Sequence, residues 1–148
     1  MPRFDSFLTE FVEGVAAHII ATVPDIPYFY DASGAAYPSG KLGLYRDRTP
    51  EITYPTVTIT AYETPAPVDT FVAVQFKICS KDPRESDAIS ADLRACFAHR
   101  YGGMLGSVKT EYSQRESGTV LPQDTVGRGV RTENYQFRVY WPNLNNPA

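Results

Sequence analysis

Cysteine and histidine are scarce in this 148-residue chain, which has two of each. Sixteen residues separate Cys79 from Cys96, a spacing that fits neither a zinc site nor a redox motif. Free cysteine is among the most buried residue types, so we expect both to be small core residues in a reducing compartment. The histidines, His18 and His99, fall in two separate predicted helices and are too few for a metal site without added carboxylates. The sequence therefore predicts no metal and no cofactor.

Basic patches and long apolar runs are also missing. Fourteen Lys and Arg residues stand against seventeen Asp and Glu residues, for a net charge of −3, and no segment concentrates the basic ones. Dedicated binding to a nucleic-acid backbone needs such a patch. No apolar run approaches the roughly 18 residues of a membrane helix, and Met1–Asp5 does not start a signal peptide. We expect neither dedicated nucleic-acid binding nor a membrane segment.

Motifs for catalysis are equally sparse. The chain has no Gly-x-Ser-x-Gly elbow and no His-Glu-x-x-His helix. Gly127-Arg128-Gly129 resembles part of a phosphate loop, but it lacks the third glycine and the following Lys-Ser/Thr, so a hinge is the better interpretation. Carboxylates such as Glu10, Glu13 and Asp82 are explained by helix capping or solvation. We therefore expect no enzymatic activity.

The sequence does contain a strong helical periodicity at the start of the chain. Apolar residues recur every three or four positions from Phe4 to Val23, which predicts a helix over Ser6–Thr22. Asp5 or Ser6 is expected to cap it, and Pro24 to end it. Its predicted buried face consists of Phe7, Phe11, Val15 and Ile19.

A second helix is predicted after Ser80. Asp82 can cap it, and Pro83 suits the first helical position. Gly102-Gly103 is expected to end this helix, which places His99 in its last turn, where a partial positive charge suits the helix dipole. The predicted buried stripe consists of Ile89, Leu93, Cys96 and Phe97.

Alternating apolar and polar residues predict several strands. Thr56–Ala61 and Phe71–Cys79 are expected to form an antiparallel hairpin around a loop at Tyr62–Asp69. Two further strands are predicted at Leu105–Tyr112 and Val130–Trp141, with Tyr135, Phe137, Val139 and Trp141 on one side of the latter. Residues 25–55 are rich in proline and glycine and favour only short, irregular strands.

The order of these elements predicts a single domain over residues 1–148. We expect an α+β fold, with a mostly antiparallel sheet and two amphipathic helices packed against one face. Ser113–Gly129 is predicted to be a long polar loop. Structureless loops of that length are uncommon unless they bind something, so this segment is either a mobile loop or an arm that orders on a neighbouring subunit.

Several stretches together resemble one protein family. They are a strand, an Asp-Pro-Arg-Glu turn, an amphipathic helix and a closing strand, at Val74–Ile78, Lys81–Glu85, Ala88–Leu93 and Asn134–Val139. With the leading helix they cover most of the chain. In this order they resemble the tail-terminator and minor capsid proteins of long-tailed bacteriophages of actinobacteria.

The resemblance implies a structural protein of the virion tail and neck, assembled in the host cytoplasm. It implies a ring of six copies that caps the tail tube, stops its polymerisation and joins it to the head. The implied partners are further copies of this chain, the tail tube protein and the head–tail connector protein. Genomic DNA would pass through the lumen without specific binding. No active site is implied.

Candidate contact residues follow from the expected exposure of the polar loop. They are Arg115, Glu116, Arg128 and Arg131, together with Arg84 and Glu85 at the start of the second helix. Two other interpretations stay open. One is another neck or head-completion protein of the same virion. The other is a small-molecule-binding domain or enzyme that uses the tyrosine-rich segment Tyr28–Tyr45 as its pocket.

Overall fold

The computed structural model describes residues 4–38, 40–64 and 70–140. In this part of the chain two helices, α1 (Phe4–Thr22) and α2 (Pro83–Phe97), pack on a sheet of eight strands. The strands are β1 (Tyr28–Asp31), β2 (Leu42–Arg46), β3 (Thr56–Thr64), β4 (Thr70–Ser80), β5 (His99–Tyr101), β6 (Met104–Leu105), β7 (Val108–Leu121) and β8 (Gly129–Tyr140). The predicted α+β class is confirmed.

The sheet is mixed but mostly antiparallel. Its strand order is β1-β2-β3-β4-β8-β7-β5, and β6 also pairs with β7. The pairs β1/β2 and β2/β3 are parallel, whereas all later pairs are antiparallel. The predicted β3/β4 hairpin is therefore confirmed, with β3 extending three residues beyond Ala61. Residues 65–69, Trp141 and 142–148 lie outside the described residues.

Both helices bury their apolar stripes against the same face of the sheet. The predicted inner residues of α1, Phe7, Phe11, Val15 and Ile19, are completely buried. Phe137 in β8 has its ring centroid 5.3 Å from that of Phe11 in α1 and 5.3 Å from that of Phe97 in α2. Burying one such side chain contributes about 1.5–3 kcal/mol. This aromatic layer is the core that holds the three elements together.

The ends of the helices agree only in part with the predictions. Asp82 caps α2 by accepting a hydrogen bond from the Arg84 amide at 2.9 Å, and Pro83 takes the first helical position, as expected. The predicted Asp5 or Ser6 cap of α1 is wrong, because α1 begins at Phe4 and includes both residues.

The predicted end of α2 at Gly102-Gly103 is also wrong. The helix ends at Phe97, and His99 lies in β5 opposite Gln114 rather than in a helical turn. Gly102 and Gly103 form the turn between β5 and β6, with φ of 73° and 87°. Glycine adopts this left-handed region without the steric cost that a Cβ brings, which explains the pair without a helix end.

The predicted long loop at Ser113–Gly129 is wrong for most of its length. β7 continues to Leu121 and pairs with β8 as far as Val130, so only residues 122–128 form a turn. This part of β7 is mostly exposed on both sides, and its polar composition therefore hides the alternation that marks a half-buried strand.

Candidate subunit interface

The end of the β7/β8 hairpin projects an ordered, solvent-exposed surface. We call residues 115–134 the distal hairpin. Its two strands pair from Ser117–Asn134 to Leu121–Val130. Val120 is 80% exposed and Leu121 41% exposed, although most large apolar side chains of this chain lie in the core. The distal hairpin is thus a paired β-structure with an exposed surface, where the sequence analysis predicted a long polar loop.

Hydrogen bonds within the turn hold the distal hairpin in shape. Oδ1 of Asp124 accepts from the backbone amides of Val126 and Arg128 at 3.1 and 2.8 Å. Oδ2 accepts from Nε of Arg128 at 2.8 Å. Burial by itself raises the pKa of Asp124, but the hydrogen bonds and charge of Arg128 outweigh it and lower that pKa overall. The carboxylate therefore stays ionised and locks the turn.

Arg128 fastens this turn to the rest of the fold. Its side chain is completely buried. Nη1 donates to the Tyr54 carbonyl at 2.9 Å and to Oγ1 of Thr56 at 3.0 Å, and Nη2 donates to the Pro50 carbonyl at 2.7 Å. The exposure predicted for Arg128 is therefore wrong. Its planar guanidinium donates hydrogen bonds to the carbonyl groups of the segment that leads into β3. It is therefore not available for contact with another subunit.

A second buried charge, Glu133, supports the hairpin from the helix side. Its side chain is fully buried and accepts from Nε of Arg115 at 2.7 Å and from Oγ of Ser90 at 2.5 Å. Nε of Arg131 lies 3.2 Å and Nη2 of Arg94 3.9 Å from its Oε1. Burial tends to raise the pKa of Glu133, but Ser90 and the arginines lower it overall. The cluster joins α2, β7 and β8 through one ionised carboxylate.

The structure places the remaining predicted contact residues at or beside this hairpin. Nη1 of Arg131 binds Oδ1 of Asp87 in α2 at 2.6 Å, so β8 is tied to the first half of that helix. The Arg84 side chain is 91% exposed and pairs with its own cap residue, Asp82. Glu116 is exposed and accepts from Gln114 at 3.0 Å.

Glu85 completes the set of predicted contact residues. Its Oε1 accepts from Oγ of Ser80 at the end of β4, at 2.5 Å. α2 begins at the end of the sheet where β4 ends and β8 starts, opposite Leu121. Arg84, Glu85, Arg115, Glu116 and Arg131 therefore lie along one end and edge of the molecule. Their contact with other subunits stays a prediction.

Asp124 and Glu133 are the residues that the sequence analysis missed. A signal for Glu133 was present, because it stands in phase with the buried Tyr135 and Phe137 of β8. An acidic residue in such a phase is buried only if it is paired. The signal for Asp124 was weaker. It consists of the position of Asp124 four residues before Arg128, in a turn that contains Gly127.

One edge of the distal hairpin has no neighbouring strand among the described residues. β6 pairs with Val108-Lys109 and β5 pairs with Tyr112–Gln114, which leaves the outer side of β7 open from Arg115 to Leu121. β1 forms the opposite edge of the sheet. Exposed strand edges present unpaired amides and carbonyls that can pair with another chain.

Two surface pockets lie away from this edge. A pocket of about 540 Å³ is lined by the segment around Tyr37, Tyr45, Arg46 and Arg48. Another of about 370 Å³ lies between the start of β2 and α2, beside Ile26, Tyr54 and Asp92. Asp92, which lines this pocket, accepts a hydrogen bond from the Tyr28 hydroxyl at 2.8 Å. The predicted alternative pocket in Tyr28–Tyr45 therefore has a physical counterpart in the first of these.

Other kinds of site have less support in the described part of the chain. No group of three His, Cys, Asp or Glu side chains there could hold a metal ion. Neither described helix is long and apolar enough to cross a bilayer. Cys79 and Cys96 are both buried and unbridged, as predicted.

Comparisons with known proteins define the class of fold. No protein-family model matches the chain, and no curated protein sequence matches it. Among solved structures it is similar to a chain with a TM-score of 0.60 and 11% identity, and the match covers 95% of this chain and 98% of that one. Agreement over almost the full length of both chains at such low identity shows a shared fold and nothing about activity.

Proposed function

We propose that this chain is a tail-terminator protein of a long-tailed bacteriophage. In this role, copies form a ring on the last ring of the tail tube, stop further tube growth and present a joining surface to the head–tail connector. The proposal rests on the sequence resemblance together with one structural observation, the exposed distal hairpin, which is held by buried hydrogen bonds and ion pairs. The chain works by binding other subunits and carries out no chemical reaction.

The dense hydrogen bonding of the distal hairpin is what favours an assembly role. A loop that orders on binding loses conformational entropy at that moment, whereas a preformed surface avoids most of that cost. Arg128 and Glu133 each fix the hairpin with several hydrogen bonds or ion pairs. Val120 and Leu121 add exposed apolar area next to an open strand edge. Such a surface fits a protein partner.

The mechanism of termination is geometric. A head-to-tail contact between identical subunits closes into a ring when its rotation divides a full turn. One face of that ring would match the end of the tube, while the other lacks the surface that recruits another tube subunit. The net charge of −3 disfavours tight binding to DNA passing through the lumen.

Tail tubes mixed with purified protein provide the test. Negative-stain imaging should show an extra ring at tube ends, and tubes so capped should fail to elongate when tube subunits are added. Val120→Asp should abolish capping, because it places a charge in the exposed apolar edge. Ile20→Asp is the matched control, since Ile20 is also an exposed apolar residue (37%) but lies on α1. Capping by the Val120 variant at wild-type levels would contradict the role given to the hairpin.

The pocket beside Tyr37 and Tyr45 supports a second candidate function, small-molecule binding. Its volume of about 540 Å³ falls within the usual range for ligand sites. A ligand of the native state would raise the melting temperature in proportion to the logarithm of its concentration.

The other alternative is a different neck or head-completion protein of the same virion. Such a protein would bind the portal side and would not bind tube ends.

A further inference from the structure

The two edges of the sheet are complementary in position. Each row of paired residues can be followed across the sheet from β1 to β7. One row runs Phe29, Gly43, Thr56, Cys79, Val130 and Leu121, and the next runs Tyr30, Leu44, Val57, Ile78, Arg131 and Val120. The open part of β7 and the short strand β1 therefore occupy the same rows of the sheet.

The two edges are also complementary in direction. β1, β2 and β3 run parallel to one another, and the three antiparallel steps to β4, β8 and β7 leave β7 opposite to β1. If a second copy is placed beside the first in the same orientation, its β1 meets the open edge of β7 as an antiparallel partner. Antiparallel pairs are slightly more stable per residue than parallel pairs.

The shared rows determine whether copies joined by such a contact can form a closed ring. A neighbour that pairs row to row is not displaced along the strand direction. A head-to-tail contact with such a displacement winds into an open helix, whereas one without it can close into a ring. Row-to-row pairing of the two edges is therefore the register that is compatible with a closed assembly.

Charges on the two edges add a specific pair. Glu116 on β7 is exposed and has no basic partner among the described residues. It lies at the irregularity of β7 between Arg115 and Ser117, two positions before Gly118. On the other edge, residues 32–34 follow β1, and the exposed Arg48 lines a pocket together with them and has no ion pair in the described part of the chain. The acidic and basic side chains would face each other across the contact.

We propose that the open edge of β7 at Thr119–Leu121 pairs, antiparallel and head to tail, with β1 of a second copy of this chain. Leu121 then lies opposite Phe29 of the next copy, and Val120 opposite Tyr30. This inference rests on the proposed ring-forming function and assigns the surfaces that make the ring. The contact would cover β1 and the end of the open β7 edge, which are unpaired in the single subunit.

Cysteine cross-linking tests the contact directly. Phe29→Cys and Leu121→Cys are made as separate proteins, and each is oxidised alone and in an equal mixture, under conditions where light scattering or tube-end binding shows assembly. A disulfide-linked dimer should form in the mixture and not in either protein alone. Tyr140→Cys is the control, because Tyr140 is 57% exposed at the far end of β8, and it should cross-link with neither variant. Thermal melts establish that each variant is folded.

Charge reversal gives a second measurement that does not disturb packing, because both side chains are exposed. Glu116→Arg or Arg48→Glu alone should weaken assembly about three- to fivefold at low salt, and the double variant should restore it. Equal assembly by all four proteins would count against the Glu116–Arg48 pair.

The outcomes separate this inference from the proposed function. A dimer formed by Leu121→Cys alone would show a two-fold contact, and an assembled protein that cross-links in no combination would show a different surface. Either result overturns the inference and leaves the capping function intact. A protein that neither self-associates nor binds tube ends overturns both.

Discussion

Replacing Arg128 by methionine should destabilise the fold more than any surface substitution. Methionine keeps much of the apolar stem but removes the guanidinium that bonds Asp124, Tyr54, Thr56 and Pro50. Removing one partner of a buried ion pair costs about 3–5 kcal/mol. The Asp124 side chain retains 16% exposure, so water can solvate part of the charge left behind. We therefore expect a loss of about 4 kcal/mol.

Urea unfolding followed by circular dichroism measures this loss. For a protein of this size a slope of about 2 kcal/mol per molar urea is typical, so the midpoint should fall by about 2 M. Hydrogen exchange should show the turn at 122–128 opening first, because Arg128 is its connection to the segment before β3. Arg84→Met is the control, since the Arg84 side chain is 91% exposed, and its midpoint should change little. An Arg128→Met midpoint within 0.3 M of wild type, about 0.6 kcal/mol at this slope, would refute the argument that this arginine anchors the hairpin.

Three further predictions concern the core and the charge cluster. The lowered pKa of Glu133 means that its ionised form stabilises the fold above the ordinary glutamate pKa of about 4.3, and that this contribution is lost as the pH falls through the lower folded-state value. Glu133→Gln should therefore flatten the dependence of the urea midpoint on pH below about pH 5, and an unchanged slope would contradict the cluster. Gly14→Ala should destabilise the fold by about 1–3 kcal/mol, although alanine favours helices. The reason is that the alanine Cβ would lie 2.2 Å from the backbone of Leu105 and Gly106. A variant that is stabilised in thermal melts would show that this close approach is absent. Burial raises the pKa of Cys96 to about 11 and also raises that of Cys79. A thiol reagent at pH 8 should therefore label the native protein slowly and the urea-unfolded protein at once. Fast labelling of the native protein would refute the burial of these thiols.

The helices and central strands could be predicted from sequence because their signals are periodic. Phe7, Phe11, Val15 and Ile19 repeat at helical spacing, and all four are buried. The β3/β4 hairpin followed from the alternation of its residues, although the threonine side of β3 is also buried at Thr56 and Thr58. Local chemistry also sufficed at Asp82-Pro83, where the cap needs only neighbouring residues.

The distal hairpin could not be predicted in this way because its stability comes from distant residues. Residues 115–119 of its outer strand are polar or glycine, and such a composition alone favours a loop. What holds it is Arg128 bonded to Pro50 and Tyr54, more than 70 positions earlier in sequence. The expected exposure of Arg128 was wrong for the same reason, since only the fold shows which acceptors surround it.

The parallel pairing of β1 and β2 also escaped prediction. Both strands are short, at four and five residues, and they lie in a segment rich in proline and glycine. Gly43 accommodates the ring of Tyr45, whose nearest atom would lie 2.3 Å from a Cβ at that position. Such a contact depends on tertiary structure and leaves no periodic pattern in the sequence.

The most direct test of the proposed function is the mass and location of the assembled protein on tail tubes. Multi-angle light scattering of the purified protein, with negative-stain images of tubes before and after its addition, measures both. The account predicts a closed ring of this chain at one end of each tube and no further growth when tube subunits are supplied. A protein that remains a monomer at high concentration, leaves tube ends bare and lets tubes elongate would contradict it.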